Sequence, residues 1–151
     1  MVAEVRPPPS PRRSRGETEV EALIVEQRVA ASPATVFEYL TDPSKFAQWM
    51  GVGAEIDPRP GGAYRINVDD EHFAAGRYIE IDAPSRIVMT WGWEGSGEVG
   101  PGSTTVEITL EPDGQGTLLR LRHTGFTGEQ QRIDHRDGWV RYTGQLNELF
   151  A

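Results

Sequence analysis

The chain has 151 residues and no cysteine, so one domain must hold without disulfides, and thiol nucleophiles and thiolate metal sites are excluded. Net charge is −8; residues 1–16 carry +3 and the remainder therefore −11, a poor match for a phosphate backbone, so no nucleic-acid partner is expected. No apolar run approaches the roughly 20 residues that span a bilayer, and no apolar signal core opens the chain, so a cytoplasmic location is expected.

Residues 1–19 set Pro7, Pro8, Pro9 and Pro11 among arginines and serines, with almost nothing to bury, and read as a disordered tail. The domain then runs over 20–151. Residues 20–30 form the first strand, with Leu23, Val25 and Val29 on one face. Ser32 caps a helix that has Pro33 at its first position and Val36, Phe37 and Leu40 as its stripe. Asp42 and Pro43 repeat that start signal for a second short helix, which carries Phe46, Trp49 and Met50 and ends at Gly51.

From Gly53 the period becomes two and the turns are rich in glycine and proline. Strands are expected at 63–68, 73–82, 86–93, 104–110 and 117–124. In 86–93, Ile87, Met89, Trp91 and Trp93 share a side. Asp69-Asp70-Glu71 is a hairpin tip whose three acids diverge, so it is not a cation site. Residues 95–102 read as a loose glycine-rich loop. The last element is a long helix over 127–151, with His135, Trp139, Tyr142, Leu146, Leu149 and Phe150 on its apolar face. Thr127 and Gln130 have capping-box spacing. Gly138 breaks the pattern, since a mid-helix glycine costs about 1 kcal/mol against alanine; close approach of the helix to the sheet is the expected reason.

Together these elements give an α+β fold. A curved antiparallel sheet of about seven strands wraps around one long C-terminal helix, with two short helices after the first strand. One helix cannot fill the concave face of such a sheet, so a cavity is expected between them, with Trp91 beside the void.

Several stretches, in this order and spacing, carry a family resemblance: Ala31-Ser32-Pro33-Ala34-Thr35-Val36-Phe37, Phe46 to Trp49, Arg59-Pro60-Gly61-Gly62-Ala63-Tyr64, Gly76, Pro84-Ser85-Arg86-Ile87-Val88-Met89-Thr90-Trp91, Gly116-Thr117, His123 to Phe126, and His135-Arg136-Asp137-Gly138-Trp139. Over roughly 21–150 the chain resembles the activator of heat-shock-protein-90 ATPase C-terminal-like family, within the START-like (SRPBCC) helix-grip superfamily. The resemblance implies the order of elements read above, with a cavity between sheet and long helix. It also implies a range of roles: superfamily relatives bind lipids, sterols, polyketides or hormones, and some catalyse cyclisation or dehydration. The family is named for a co-chaperone in which a separate domain precedes this one. Here only a short tail does, so a chaperone partner is not expected.

The leading reading is a non-enzymatic domain that binds an apolar or aromatic small molecule. Its pocket is expected to be walled by Trp49, Tyr64, Trp91, Trp93, Trp139 and Tyr142. Phe46, Ile66, Met89, Leu121, His123 and His135 are expected beside them. Trp93, next to the glycine loop, belongs at the rim. Arg65 and Arg77 can clamp an anion, but alternation turns Arg65 to solvent. His72, His123 and His135 lack metal-ligand spacing, and no cofactor or metal is expected. His135 is the one candidate acid or base, and the plainer reading is a histidine whose hydrogen bonds fix the start of the helix. Two alternatives stand beside binding. One is a cyclase/dehydratase-type enzyme using His135 with Tyr142 or Tyr64. The other is a co-chaperone-like interaction module. Oligomeric state is open, a homodimer included.

Overall fold

The structure, a computed structural model, describes residues 20–151; the expected tail at 1–19 lies outside the described residues. The elements are β1 (Leu23–Val29), α1 (Pro33–Thr41), α2 (Pro43–Phe46), β2 (Gly53–Ile56), β3 (Ala63–Asn67), β4 (Phe73–Asp82), β5 (Arg86–Trp91), β6 (Thr104–Asp113), β7 (Gly116–Thr124) and α3 (Glu129–Glu148). The seven strands form one antiparallel sheet in the order β1-β7-β6-β5-β4-β3-β2. Hairpins link β2 through β7 in sequence. The α1–α2 segment carries the chain from β1 to β2 at the opposite edge.

Local chemistry sets the boundaries. The Ser32 hydroxyl accepts from Thr35 N–H at 3.3 Å, and the Asp42 carboxylate accepts from Ser44 N–H at 2.9 Å and Lys45 N–H at 3.1 Å. Each pairing satisfies donors that a helix start leaves open. The strands alternate as period two demands. Ile87, Met89 and Trp91 of β5, Val106, Ile108 and Leu110 of β6, and Leu119, Leu121 and His123 of β7 all turn inward. The register stacks Met89 on Val106 and Val106 on His123, so one apolar layer crosses three strands.

Several sequence expectations need correction. The long helix begins at Glu129, and Thr127 pairs with Gln131 rather than Gln130: its N–H donates to Gln131 Oε1 and its hydroxyl accepts from Gln131 Nε2, each at 3.2 Å. Gln130 donates to Asp134 instead. Leu149 follows the helix end and is 41% exposed, whereas Thr143 is buried. Thr143 escapes hydrophobic pattern reading because its hydroxyl donates to Trp139 C=O, 2.7 Å away in its own helix.

Strand β5 ends at Trp91, not at Trp93, which makes only an isolated bridge to Ala74. At Gly92 the chain passes so close to Gly100 that a Cβ would lie 1.7 Å from its carbonyl oxygen. The loop after β5 is accordingly pinned rather than loose. Trp93 N–H donates to Val99 C=O at 2.7 Å, the Ser96 hydroxyl accepts from Val99 N–H at 2.9 Å, and Val99 is buried.

Gly138 is the last. A Cβ there meets nothing within 4 Å, so close approach to the sheet does not explain it.

Candidate functional site

The inner face of β5 and the first half of α3 meet through aromatic rings. Trp91 is 1% exposed. Its ring centroid lies 4.9 Å from Trp139, 5.6 Å from Trp93 and 6.2 Å from Tyr64. Trp91 is therefore packed against three rings, and the space beside it is an open cleft rather than an enclosed void.

Two tryptophan–histidine hydrogen bonds tie this layer together, and each fixes a tautomer. Indole N–H only donates. Trp139 Nε1 donates to His123 Nδ1 at 3.0 Å, so the His123 proton sits on Nε2, 2.8 Å from the Thr104 hydroxyl. That hydroxyl in turn donates to Trp91 C=O at 2.8 Å. The result is a directed chain from α3 through β7 and β6 to β5, all of it buried. Burial, with some help from nearby His135, pushes the His123 pKa down to about 2. Trp93 Nε1 likewise donates to His135 Nε2 at 2.9 Å, which leaves His135 Nδ1–H to donate to Gln131 C=O at 2.7 Å. Burial also lowers the His135 pKa, against the opposing effects of the Gln131 carbonyl and Asp134.

Trp49 Nε1 donates to Tyr39 C=O at 2.8 Å. Trp91 is thus the exception among the four tryptophans: its buried N–H has no partner. An unmade buried hydrogen bond of this kind costs about 1–3 kcal/mol.

Beyond Trp91 a cleft of about 680 Å³ opens to solvent. Trp91, Trp93, Trp139, Tyr142 and His135 line it, and Gly138 leaves its α3 wall without a side chain. The β3–β4 tip adds Val68, Asp69 and His72; the β5–β6 loop adds Glu94, Gly95, Ser96, Glu98 and Val99. Met50, Gln131 and Asp134 complete it. Of the residues expected to wall a pocket, the fold brings Trp91, Trp93, His135, Trp139 and Tyr142 together at the cleft. Phe46, Trp49, Tyr64, Ile66, Met89, Leu121 and His123 lie in the packed interior beneath or away from it. Tyr64 faces inward with its hydroxyl donating to Thr90 C=O at 2.6 Å, and burial raises its pKa well above the ordinary value. Arg65 is exposed and pairs with Glu94 through two nitrogens at 2.8 and 3.0 Å. Arg77, also exposed, donates to Gly61 C=O at 3.0 Å. Asp69 accepts from His72 N–H at 2.7 Å, and its carboxylate lies 2.8 Å from the His72 ring. Among the described residues no group of three or more metal-ligating side chains converges.

Sequence reading missed the loop residues. Val99 offered one signal, an isolated apolar side chain inside a glycine run. Glu98 and Asp134 offered none, because a carboxylate on a loop or helix surface is ordinary.

Residues 30–151 match the family described as Activator of Hsp90 ATPase homolog 1-like protein. Among curated proteins, none matches the chain. An AHSA1-like protein from Rhizobium etli is 45% identical with a TM-score of 0.69, covering 89% of this chain and 86% of that one. CalU16 from Micromonospora echinospora is 28% identical, TM-score 0.71, over 86% of this chain and 76% of that one. The Aha1 dimer from Colwellia psychrerythraea shares only 12% identity, yet superposes with a TM-score of 0.76 over 87% of this chain and 96% of that one, a likeness of fold. No helix among the described residues is long and apolar enough to cross a membrane. Sheet order, terminal helix and a sequence match over most of its length agree, and the chain belongs to the Activator of Hsp90 ATPase homolog 1-like family, built on the helix-grip fold.

Proposed function

We propose that this domain binds a planar apolar or aromatic small molecule in the cleft between α3 and the end of β5. One observation carries the reading. An open cleft of about 680 Å³ is walled by three tryptophans and a tyrosine, within the roughly 300–1,000 Å³ typical of ligand sites. Gly138 supports it: the position forgoes about 1 kcal/mol of helix propensity, and the space gained opens on the cleft. The unpartnered Trp91 N–H, on a ring that lines the same cleft, offers a donor to a ligand acceptor when the wall relaxes.

Binding is favoured over acid–base chemistry by the state of His135. Both of its ring nitrogens are engaged, and its pKa is lowered rather than poised, so it has no free site to take or give a proton. The family name brings a co-chaperone reading with it. On the sheet, however, the exposed large apolar residues are Ile24 on β1 and Ile79 on β4, separated by three strands of the sheet order, which does not favour docking through the sheet's outer face.

The test is a fluorescence titration with the neutral probe N-phenyl-1-naphthylamine. Affinity in the micromolar range is expected, with quenching of tryptophan emission. Gly138→Leu fills the cleft and is expected to weaken binding at least tenfold without lowering Tm. Unchanged binding in that variant would move the site elsewhere.

A further inference from the structure

The cleft has a charge bias as well as aromatic walls. Four carboxylates line it, Asp69, Glu94, Glu98 and Asp134, and no lysine or arginine does among the described residues. Two of the four are already matched, Asp69 by the His72 ring and Glu94 by Arg65 on the outer face of the sheet. Glu98 and Asp134 are exposed, and among the described residues neither meets a cation; Asp134 accepts only from Gln130 Nε2, at 2.9 Å. His135, the other ring nitrogen base on the wall, is held neutral by its two hydrogen bonds. The lining indoles add π systems that attract a cation, while the Tyr142 ring already has the Arg141 guanidinium over it, 5.3 Å from its centroid. Acidic rim and ring faces thus act with the same sign on anything that enters, and a cleft with apolar walls concentrates such a field.

Resting on the small-molecule reading above, we propose that the ligand is an organic cation: a flat aromatic or polycyclic molecule carrying a protonated amine or quaternary nitrogen. Its ring system stacks between the Trp93 and Trp139 sides of the cleft, and its positive nitrogen sits toward Glu98 and Asp134. A fatty acid or other anionic amphiphile brings a carboxylate against Glu98 and Asp134 and is disfavoured. No covalent step is involved.

Three aromatic probes of similar size test this by tryptophan quenching: cationic 9-aminoacridine, neutral N-phenyl-1-naphthylamine and anionic 1-anilinonaphthalene-8-sulfonate. The cation is expected to bind about tenfold tighter than the neutral probe and the anion about tenfold weaker, with both gaps shrinking in 0.5 M salt. Glu98→Gln/Asp134→Asn is expected to remove most of the cation's advantage over the neutral probe, each measured on the same variant. Asp82→Asn/Glu111→Gln, the same charge change at exposed positions outside the lining, is expected to leave the advantage intact. If the neutral probe binds but the cation binds no tighter, the cationic class is wrong and the cleft reading survives. If both double variants lose the preference equally, it belongs to the whole acidic protein, and the proposal falls. If no probe binds, the cleft reading falls and takes this one with it.

Discussion

The indole N–H of Trp139 donates to Nδ1 of His123 over 3.0 Å, and this one bond sets the direction of every proton in the buried chain behind it. His123 must then donate from Nε2 to Thr104, whose hydroxyl must donate to the Trp91 carbonyl. The terminal helix is thereby keyed to three strands in succession.

The key predicts an asymmetry between two tryptophans in contact. Trp139→Phe and Trp91→Phe remove similar volume from one cluster. The first orphans the buried His123 Nδ1; the second removes a donor that has no partner. Trp139→Phe is expected to cost about 1–3 kcal/mol more than Trp91→Phe, measured by urea denaturation. Equal costs would mean that the bond contributes nothing to holding α3.

His123 also predicts an acid sensitivity. It is neutral when folded, with its pKa pushed down to about 2 chiefly by burial. In the unfolded chain it takes a proton below about pH 6.5. The unfolded state therefore binds the extra proton, and stability falls as pH falls below 6.5. Between pH 6.5 and 4.5 this one group is expected to remove about 2–3 kcal/mol. His123→Gln, whose amide can accept from Trp139 and donate to Thr104, is expected to start lower and fall less steeply. Some slope remains, because His135 is shifted in the same direction. Parallel stability curves for the two proteins would rule out His123 as the origin.

Gly138→Ala is expected to stabilise the domain by about 0.5–1 kcal/mol, since a Cβ there meets nothing within 4 Å and alanine is the better helix former. A thermal or chemical melt reads this directly. A destabilised variant would show that the helix backbone needs glycine at this position.

Much of the fold was legible because its signals are local and periodic. Ser32-Pro33 and Asp42-Pro43 each announce a helix, and the alternation Ile87, Met89, Trp91 announces an inward face. The cleft was half legible. Trp139 and Tyr142 fall at helical spacing and Trp91 at strand spacing, so their meeting follows from the sheet closing on the helix. What periodicity cannot carry is where packing ends and open space begins. Tyr64, Ile66, Met89 and Leu121 share the concave face with Trp91 and are core, because the cleft opens only where the β5–β6 loop departs from the sheet. That departure is set at Gly92 and Gly100 by a contact between backbones, not by a hydrophobic pattern. Gly138 misled for the same reason. Its sequence marks a missing side chain, and only the fold shows that the space left behind is empty.

The four indole N–H groups offer the most direct measurement of ligand binding in the cleft. Trp91, Trp93 and Trp139 line it; Trp49, bonded to Tyr39 C=O, does not. In a two-dimensional nitrogen–proton NMR titration with N-phenyl-1-naphthylamine, the indole signals of Trp91, Trp93 and Trp139 are expected to move along one saturating curve while Trp49 stays fixed. Movement of Trp49 equal to the others, or four unmoved signals at the solubility limit of the probe, would contradict binding in the cleft.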